Sequence, residues 1–444
     1  MQKKDSLTEG NIAGALIRFM VPVLSALFLQ ALYGGVDMLI VGQFAQTADV
    51  SGVGTGSMLT MTLTQIIAGT SMGVTVLVAE RIGAGDPEKA GRAIGSGICL
   101  FALFAAALTV VMVAGAEGIA SLLQAPEESF VQTVSYIRIC GIGGVCIVAY
   151  NLIGAVFRGL GDSKTPLITV GIACVCNIAG DLILVAGFGC GAAGAAIATV
   201  AAQAISVVLS LLIISRRELP FTFRRSHIRF DGGIIAKELS LGLPLALQDL
   251  CVSASFLYVQ AVVNTFGVTA SAGVAVAEKV CQFVMLVPSA IMQSLSAFVA
   301  QNRGAGKMDR AVRALRISMP SAFGVGILMF AAMFFGGGVL SSVFSNDAAV
   351  IAASHTYLKA YGIDALISPM MFVLIGYFNG IEKTPFVMAQ GLIGALLVRT
   401  PVVWMISRLP DATLFMVGLG TPASSVVQLT LCTCYYFYLK KKNR

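Results

Sequence analysis

Apolar residues run along this chain in stretches of about twenty or more, separated by short polar segments at regular spacing. A helix needs about 20 such residues to cross a hydrocarbon core about 30 Å thick, and a segment in that core must satisfy its own backbone hydrogen bonds. The pattern predicts an all-α integral membrane protein of about twelve spans, with cores near 15–41, 53–79, 93–116, 132–156, 167–187, 192–214, 240–266, 271–299, 317–337, 356–379, 386–406 and 412–438. No segment between them is long enough for a soluble domain.

An internal repeat organises the spans. Arg81-Ile-Gly83-Ala-Gly85 recurs as Asn302-Arg-Gly304-Ala-Gly306, and Tyr136-Ile-Arg-Ile-Cys-Gly-Ile142 as Tyr357-Leu-Lys-Ala-Tyr-Gly-Ile363, both at an offset of 221. Phe157 to Pro166 recurs as Phe378 to Pro385, two residues shorter, and Pro22 finds its counterpart in Pro244. Each copy holds six spans, an even number, so both start on the same side of the membrane and form parallel repeats about an axis along its normal. The reading is an N-lobe over 1–214, a cytoplasmic linker over 215–238 that lets two lobes rock, and a C-lobe over 239–444. Ser6-Leu-Thr-Glu9 has the spacing of a capping box that starts the first helix.

Composition agrees with the pattern: 57% hydrophobic, 11% charged. The net charge of +7 would suit nucleic acid, but its placement argues otherwise. Lys3, Lys4, Arg81, Lys89, Arg92, Arg158, Lys164, Arg216, Arg217, Arg224, Arg225, Arg229, Lys237, Arg303, Lys307, Arg310, Arg313, Arg316, Lys383 and the Lys440 to Arg444 tail fall on one side, leaving the outer loops little but Arg408. That is the positive-inside asymmetry, and it puts both termini in the cytoplasm of a multi-pass plasma (inner) membrane protein. The ten cysteines lie mostly within spans, where thiols act as small hydrophobes. The glycine turns lack the Lys-Ser/Thr of a phosphate loop, and the two histidines, His227 and His355, lie apart. Neither an enzyme nor a cofactor site is expected.

Three polar residues stand out within the spans. Asp37 lies in an apolar helix with no Lys or Arg within a turn, and Pro22 and Gly34-Gly35 break that helix on its approach. Asn177 and Asp181 are four apart and share one helix face, again without a basic neighbour. Arg138, near the outer mouth, is the single candidate counter-ion. These carboxylates mark a place where a cation binds and leaves. In the second copy Glu278, Lys279, Asp364 and Arg399 share a layer roughly 10–15 Å deep, where two acids meet two bases and are expected to form a neutral charge network fixing the eighth, tenth and eleventh spans.

Pro22, Tyr33-Gly-Gly-Val-Asp37 with Val41-Gly42, the two Gly-Ala-Gly turns, Arg158-Gly-Leu-Gly-Asp162 before Lys164-Thr-Pro166, and Asn177 with Asp181 together resemble the multidrug and toxic compound extrusion (MATE) family over essentially the whole chain. The resemblance implies a monomeric antiporter that expels drug-like, often cationic organic compounds across the lipid bilayer while admitting H⁺ or Na⁺. It places the coupling site at Asp37, Tyr33, Asn177, Asp181, Tyr136 and Thr199, with a bend of the first helix at Pro22. A helical rise of about 1.5 Å per residue puts Asp37, Asp181, Tyr136 and Thr199 in one layer of the outer half. Asp37, Asn177, Asp181 and Thr199 offer the oxygen ligands that Na⁺ prefers, so the same set suits either ion. The family's acid in the outer part of the seventh helix has no counterpart here, so no C-lobe cation site is carried over. A flippase for a lipid-linked precursor, found in the same superfamily, is the alternative function.

Overall fold

The computed structural model describes residues 7–216 and 223–442. Lys3, Lys4, Ser6, Arg217 and Arg444, read above as topology signals and a cap, lie outside the described residues. Helices long and apolar enough to span a membrane are α1 (Ile12–Phe44), α2 (Thr47–Gly83), α3 (Pro87–Ala114), α5 (Lys164–Gly187), α6 (Gly191–Arg216), α7 (Gly232–Asn264), α8 (Val268–Gly304), α9 (Met308–Ser342), α10 (Ala348–Gly380), α11 (Thr384–Ser407) and α12 (Leu414–Lys442). The remaining span, α4, is a bent pair, Glu127–Ile142 with Gly144–Leu160, turning through 53°. The described residues contain no strand.

Several details depart from the sequence reading, each for a local reason. The bend in α4 falls at Gly143, in the run Gly141-Ile-Gly-Gly144, where side chains that would stiffen the helix are missing. Gly143 also lets α6 come close, since a Cβ there would lie 2.4 Å from the Val200 side chain. Helix α1 begins after Asn11, whose Oδ1 accepts the Gly14 N–H at 3.3 Å, rather than at the Ser6 box. It then runs unbroken through Pro22 and Gly34-Gly35, where the sequence suggested breaks. Both α5 and α11 contain a π-helical stretch, Leu182–Gly187 and Ile393–Arg399. Wider i→i+5 turns of this kind re-aim side chains and recur at functional sites.

The repeated turns are built alike. Gly85 and Gly306 both sit at positive φ, +68° and +71°, which only glycine adopts freely. At the next turn the copies diverge: Gly161 has φ +81°, while its counterpart Glu382 is held at +61° and pairs with Arg303 at 3.0 Å.

The chain divides into two compact units. Unit 1 holds Arg18–Ala246, and unit 2 holds Leu7–Ile17 with Leu247–Arg444. Unit 1 has a core of Ile40, Val41, Val53, Met112, Ile137 and Val185, and unit 2 one of Val263, Val274, Met333, Tyr357 and Leu358. In unit 2 the chain ahead of α1 is clamped through its carbonyls: Asn302 Nδ2 donates to Leu7 O at 3.1 Å, Lys307 Nζ to Thr8 O at 3.0 Å, and Arg310 to Glu9 O and Gly10 O, both at 2.7 Å. In unit 1 the described part of the linker is seated on α3 rather than loose. His227 is buried, accepts the Arg224 N–H at 3.3 Å and lies 3.2 Å from Glu88 Oε1, in a slot that Gly91 and Gly95 leave open.

Candidate functional site

Unit 1 brings five helices to one place, and small residues let them meet. Gly180 of α5 faces Ala198 of α6 so closely that a Cβ would lie 2.9 Å from the Ala198 Cβ. That approach lets Asn177 Nδ2 donate to Thr199 Oγ1 at 3.5 Å. Gly56 of α2 leaves room for the Tyr136 ring of α4, whose Cδ1 a Cβ would approach to 2.4 Å. Asp49 of α2 accepts the Ala192 N–H at 2.9 Å and so fixes the start of α6. Against this wall α1 sets Asp37, with Tyr33 one turn earlier close to Gln203 of α6. The buried Tyr136 lies beside Cys140 and within electrostatic range of both Asp37 and Tyr33. The structure thus places Asp37, Tyr33, Asn177, Asp181, Tyr136 and Thr199 in one neighbourhood.

The centre of that neighbourhood is a pair of acids. Asp37 is 6% exposed and Asp181 0%, and their carboxyl groups face each other within hydrogen-bonding reach. Both are acceptors, so no bond forms unless a proton is shared. Asp37 Oδ1, Asn177 Oδ1 and both oxygens of Asp181 are buried without a hydrogen-bond partner among the described residues. The candidate counter-ion is occupied elsewhere: Arg138 pairs with Glu117 at 2.7 Å on the exposed face. Two buried carboxylates without a base are costly unless a positive charge joins them. A proton or a hard cation such as Na⁺ completes this set of oxygens equally well. Among the described residues no group of three or more His, Cys, Asp or Glu could hold a metal ion, so a cation here would rest on amide and hydroxyl oxygens as well as acids.

Three members were not picked out from the sequence. Gln203 lies four residues after Thr199, the same one-face spacing that singled out Asn177 and Asp181. Gln30 of α1 bonds to Tyr150 of α4, a pair separated too far along the chain for spacing to reveal. The π-helical stretch that begins directly after Asp181 has no sequence signature.

In unit 2 the expected charge network does not form as ion pairs. Among the described residues no acid of the four, Glu278 and Asp364, meets Lys279 or Arg399 within 4.0 Å. Glu278, Asp364 and Arg399 gather around Tyr357, and the opposite charges lie within electrostatic range of each other, Asp364 with Arg399 and Glu278 with the exposed Lys279. Asp364 lies close to the hydroxyls of Ser368 and Ser425. Arg399 stacks its guanidinium 4.1 Å from the centroid of Phe256, with Nε and Nη1 unpartnered. Cation–π stacking on Phe256 thus adds to the longer-range attraction between Arg399 and Asp364.

A family model described as MatE matches residues 22–183 and again 244–405, once in each copy of the repeat. Among curated relatives, the "Probable multidrug resistance protein YoeA" of Bacillus subtilis is 25% identical over 459 residues, covering 100% of this chain and 96% of the relative. The "FAD transporter" of Shewanella oneidensis is 25% identical over 373 residues, covering 82% of each. A solved structure described as the outward-facing conformation of a multidrug resistance MATE family transporter of the MOP superfamily shares the fold with TM-score 0.92 at 19% identity, over 99% of both chains.

Proposed function

The chain belongs to the MatE family of membrane transporters, and from that premise we propose that it is a secondary active efflux antiporter. It exports organic, cationic, drug-like compounds in exchange for H⁺ or Na⁺ by alternating access, as a monomer in the plasma membrane with both termini cytoplasmic. The observation that carries this reading is the Asp37/Asp181 pair, buried face to face with orphaned oxygens and no basic partner.

The residues act as follows. An organic cation and the coupling ion both satisfy the same negative field, so they compete for it. A coupling ion arriving from outside is driven by its gradient and by the membrane potential, about 2.3 kcal/mol per charge at 100 mV. Asn177 and Thr199 hold the second rank of oxygens that a Na⁺ ion needs. Once the pair is neutralised, nothing in the field retains the organic cation, and α1 is free to bend at Pro22, where the imino acid supplies no N–H to the helix. A lipid-precursor flippase would be served by a cationic pocket for phosphates, and this cluster is anionic.

The test is transport of ethidium in inside-out vesicles, with a pH gradient or a Na⁺ gradient imposed separately. Wild type is expected to respond to one of them, and Asp37→Asn and Asp181→Asn to neither. Full coupled transport by either variant removes that residue from the mechanism. FAD, the cargo for which one relative is named, serves as the second substrate offered.

A further inference from the structure

A third carboxyl in unit 1 is buried without a partner, far along the fold from the Asp37/Asp181 pair. Glu238, near the start of α7, is 0% exposed, and both its oxygens lack a hydrogen-bond partner among the described residues. Among the described residues no ion pair or hydrogen bond reaches its carboxyl. Helix α2 brings Gly73 and Val74 to this stretch, and α3 brings Gly97, whose added Cβ would sit 3.4 Å from Glu238 Oε1. The nearby charges are turned to others: Arg229 to Asp231 at 3.8 Å and Arg92 to Glu88 at 3.6 Å. His227 likewise faces Glu88, and Lys237 projects from another side of α7.

Glu238 is sealed by a seam of small residues. A Cβ on Gly73 would lie 2.3 Å from the Glu238 carbonyl, one on Gly242 2.1 Å from the Thr70 carbonyl, and one on Gly69 2.9 Å from Ala246 Cα. Such small-residue contacts bring backbones together without interlocking side chains, so the seam can part without unthreading a packed core. Packing alone does not call for the acid. Glu238 stands six residues before Pro244, and the residue six before the counterpart Pro22 is Leu16.

We propose that Glu238 is a second proton-exchange site, on the side of the membrane where α7 begins. It holds its proton while the α2/α7 seam is closed. When the seam opens, the carboxyl O–H breaks, the proton passes to water and the carboxylate is left hydrated; closure recaptures a proton. The inference rests on the antiport reading, because it gives the inner aqueous side its own exchange step.

Purified full-length protein reconstituted in liposomes tests it, with ethidium as substrate and pH varied independently on each side. Infrared difference spectra of the detergent-solubilised protein follow protonated carboxyl groups without any need for transport. Glu238→Gln is expected to keep ethidium binding, to lose the response of turnover to inner pH, and to lose a protonated-carboxyl band that Asp37→Asn retains. Glu238→Leu, which installs the side chain found at the repeat counterpart, is expected to fold and to show the same two losses. If both variants keep the wild-type inner-pH response, or if the band survives in both, Glu238 is packing only and the inference is overturned. Should wild type move ethidium with no response to H⁺ or Na⁺, the antiport reading fails, and the infrared band alone then decides whether Glu238 exchanges a proton.

Discussion

Replacing Asp181 by Asn should make the protein more stable while abolishing coupled transport. In the wild type both Asp181 oxygens are buried without a donor, and the carboxyl faces that of Asp37, whose Oδ1 is likewise without a partner. An asparagine of nearly the same volume keeps one acceptor and adds an NH₂ group aimed at Asp37. A hydrogen bond to a charged group contributes about 1.5–3 kcal/mol. Repulsion between two ionised carboxylates 4 Å apart would add up to about 4 kcal/mol at an effective dielectric of 20, but wild type sheds it by taking up a proton or cation. The net gain expected for Asp181→Asn is therefore about 2 kcal/mol, measured at alkaline pH without Na⁺. Thermal unfolding in detergent can be followed with a thiol-reactive dye, since Cys140, Cys174, Cys281 and Cys432 are buried until the fold opens. Acidification supplies wild type with the same donor, so the two melting curves should converge as pH falls. A variant less stable than wild type at alkaline pH, or one that still couples transport, would refute the idea that the site is an unsatisfied acceptor cluster.

Pro22→Ala adds an N–H to an otherwise continuous α1 and should slow ethidium turnover more than it weakens binding; the reverse pattern would remove Pro22 as a bending point. Arg310→Ala removes donors to the carbonyls of Glu9 and Gly10 and should cost about 1–3 kcal/mol locally, read as faster amide exchange from Leu7 to Gly14 with the rest of the protein unchanged. The Lys89 ammonium beside Asp86, and then the Lys89 amide, hold its carboxyl below the usual carboxylate range, at the cap of α3. A depressed value means that the cap's contribution is present above the unfolded value of about 4 and is lost as pH falls through the folded one. Protection at the start of α3 should therefore fall in acid for wild type and stay flat for Asp86→Asn.

The number of spans and the repeat were legible because both leave long-range marks: apolar runs of fixed length, and glycine turns that need positive φ at Gly85 and Gly306. Asp37, Asn177 and Asp181 were legible because an unpaired acid in an apolar helix is rare. What was hidden depends on geometry between helices. Gln203 and Tyr150 join the neighbourhood through contacts with Tyr33 and Gln30 that no spacing encodes. The bend at Gly143 and the π-helical stretches change helix direction without changing hydropathy. The detail of the unit 2 charges was hidden for the same reason: equal depth does not fix contact geometry, and Arg399 stacks on Phe256 while it attracts Asp364 from beyond ion-pair distance.

The repeat itself supplies a control for the site. Asp37 lies fifteen residues after Pro22, and the residue fifteen after Pro244 is Val259, 1% exposed. Asp181 lies fifteen after Pro166, and the residue fifteen after Pro385 is Thr400. Tyr33 corresponds in the same way to Ser255. In unit 2, then, the counterparts meet as well, but as hydroxyls that satisfy one another: Ser255 and Thr400 lie 3.2 Å apart and donate to the Ala395 carbonyl at 3.0 and 2.9 Å. Ala395 belongs to the π-helical stretch of α11, so its carbonyl takes up two side-chain donors where the backbone ladder is displaced. The scaffold can therefore fill the counterpart positions with an apolar side chain and two partnered hydroxyls, without an acid at any of them. Unit 1 places two acids there and leaves their oxygens bare. Packing does not demand that arrangement, since the other copy does without it. A local rule broken in one copy and kept in the other points to selection for what the unsatisfied site can bind.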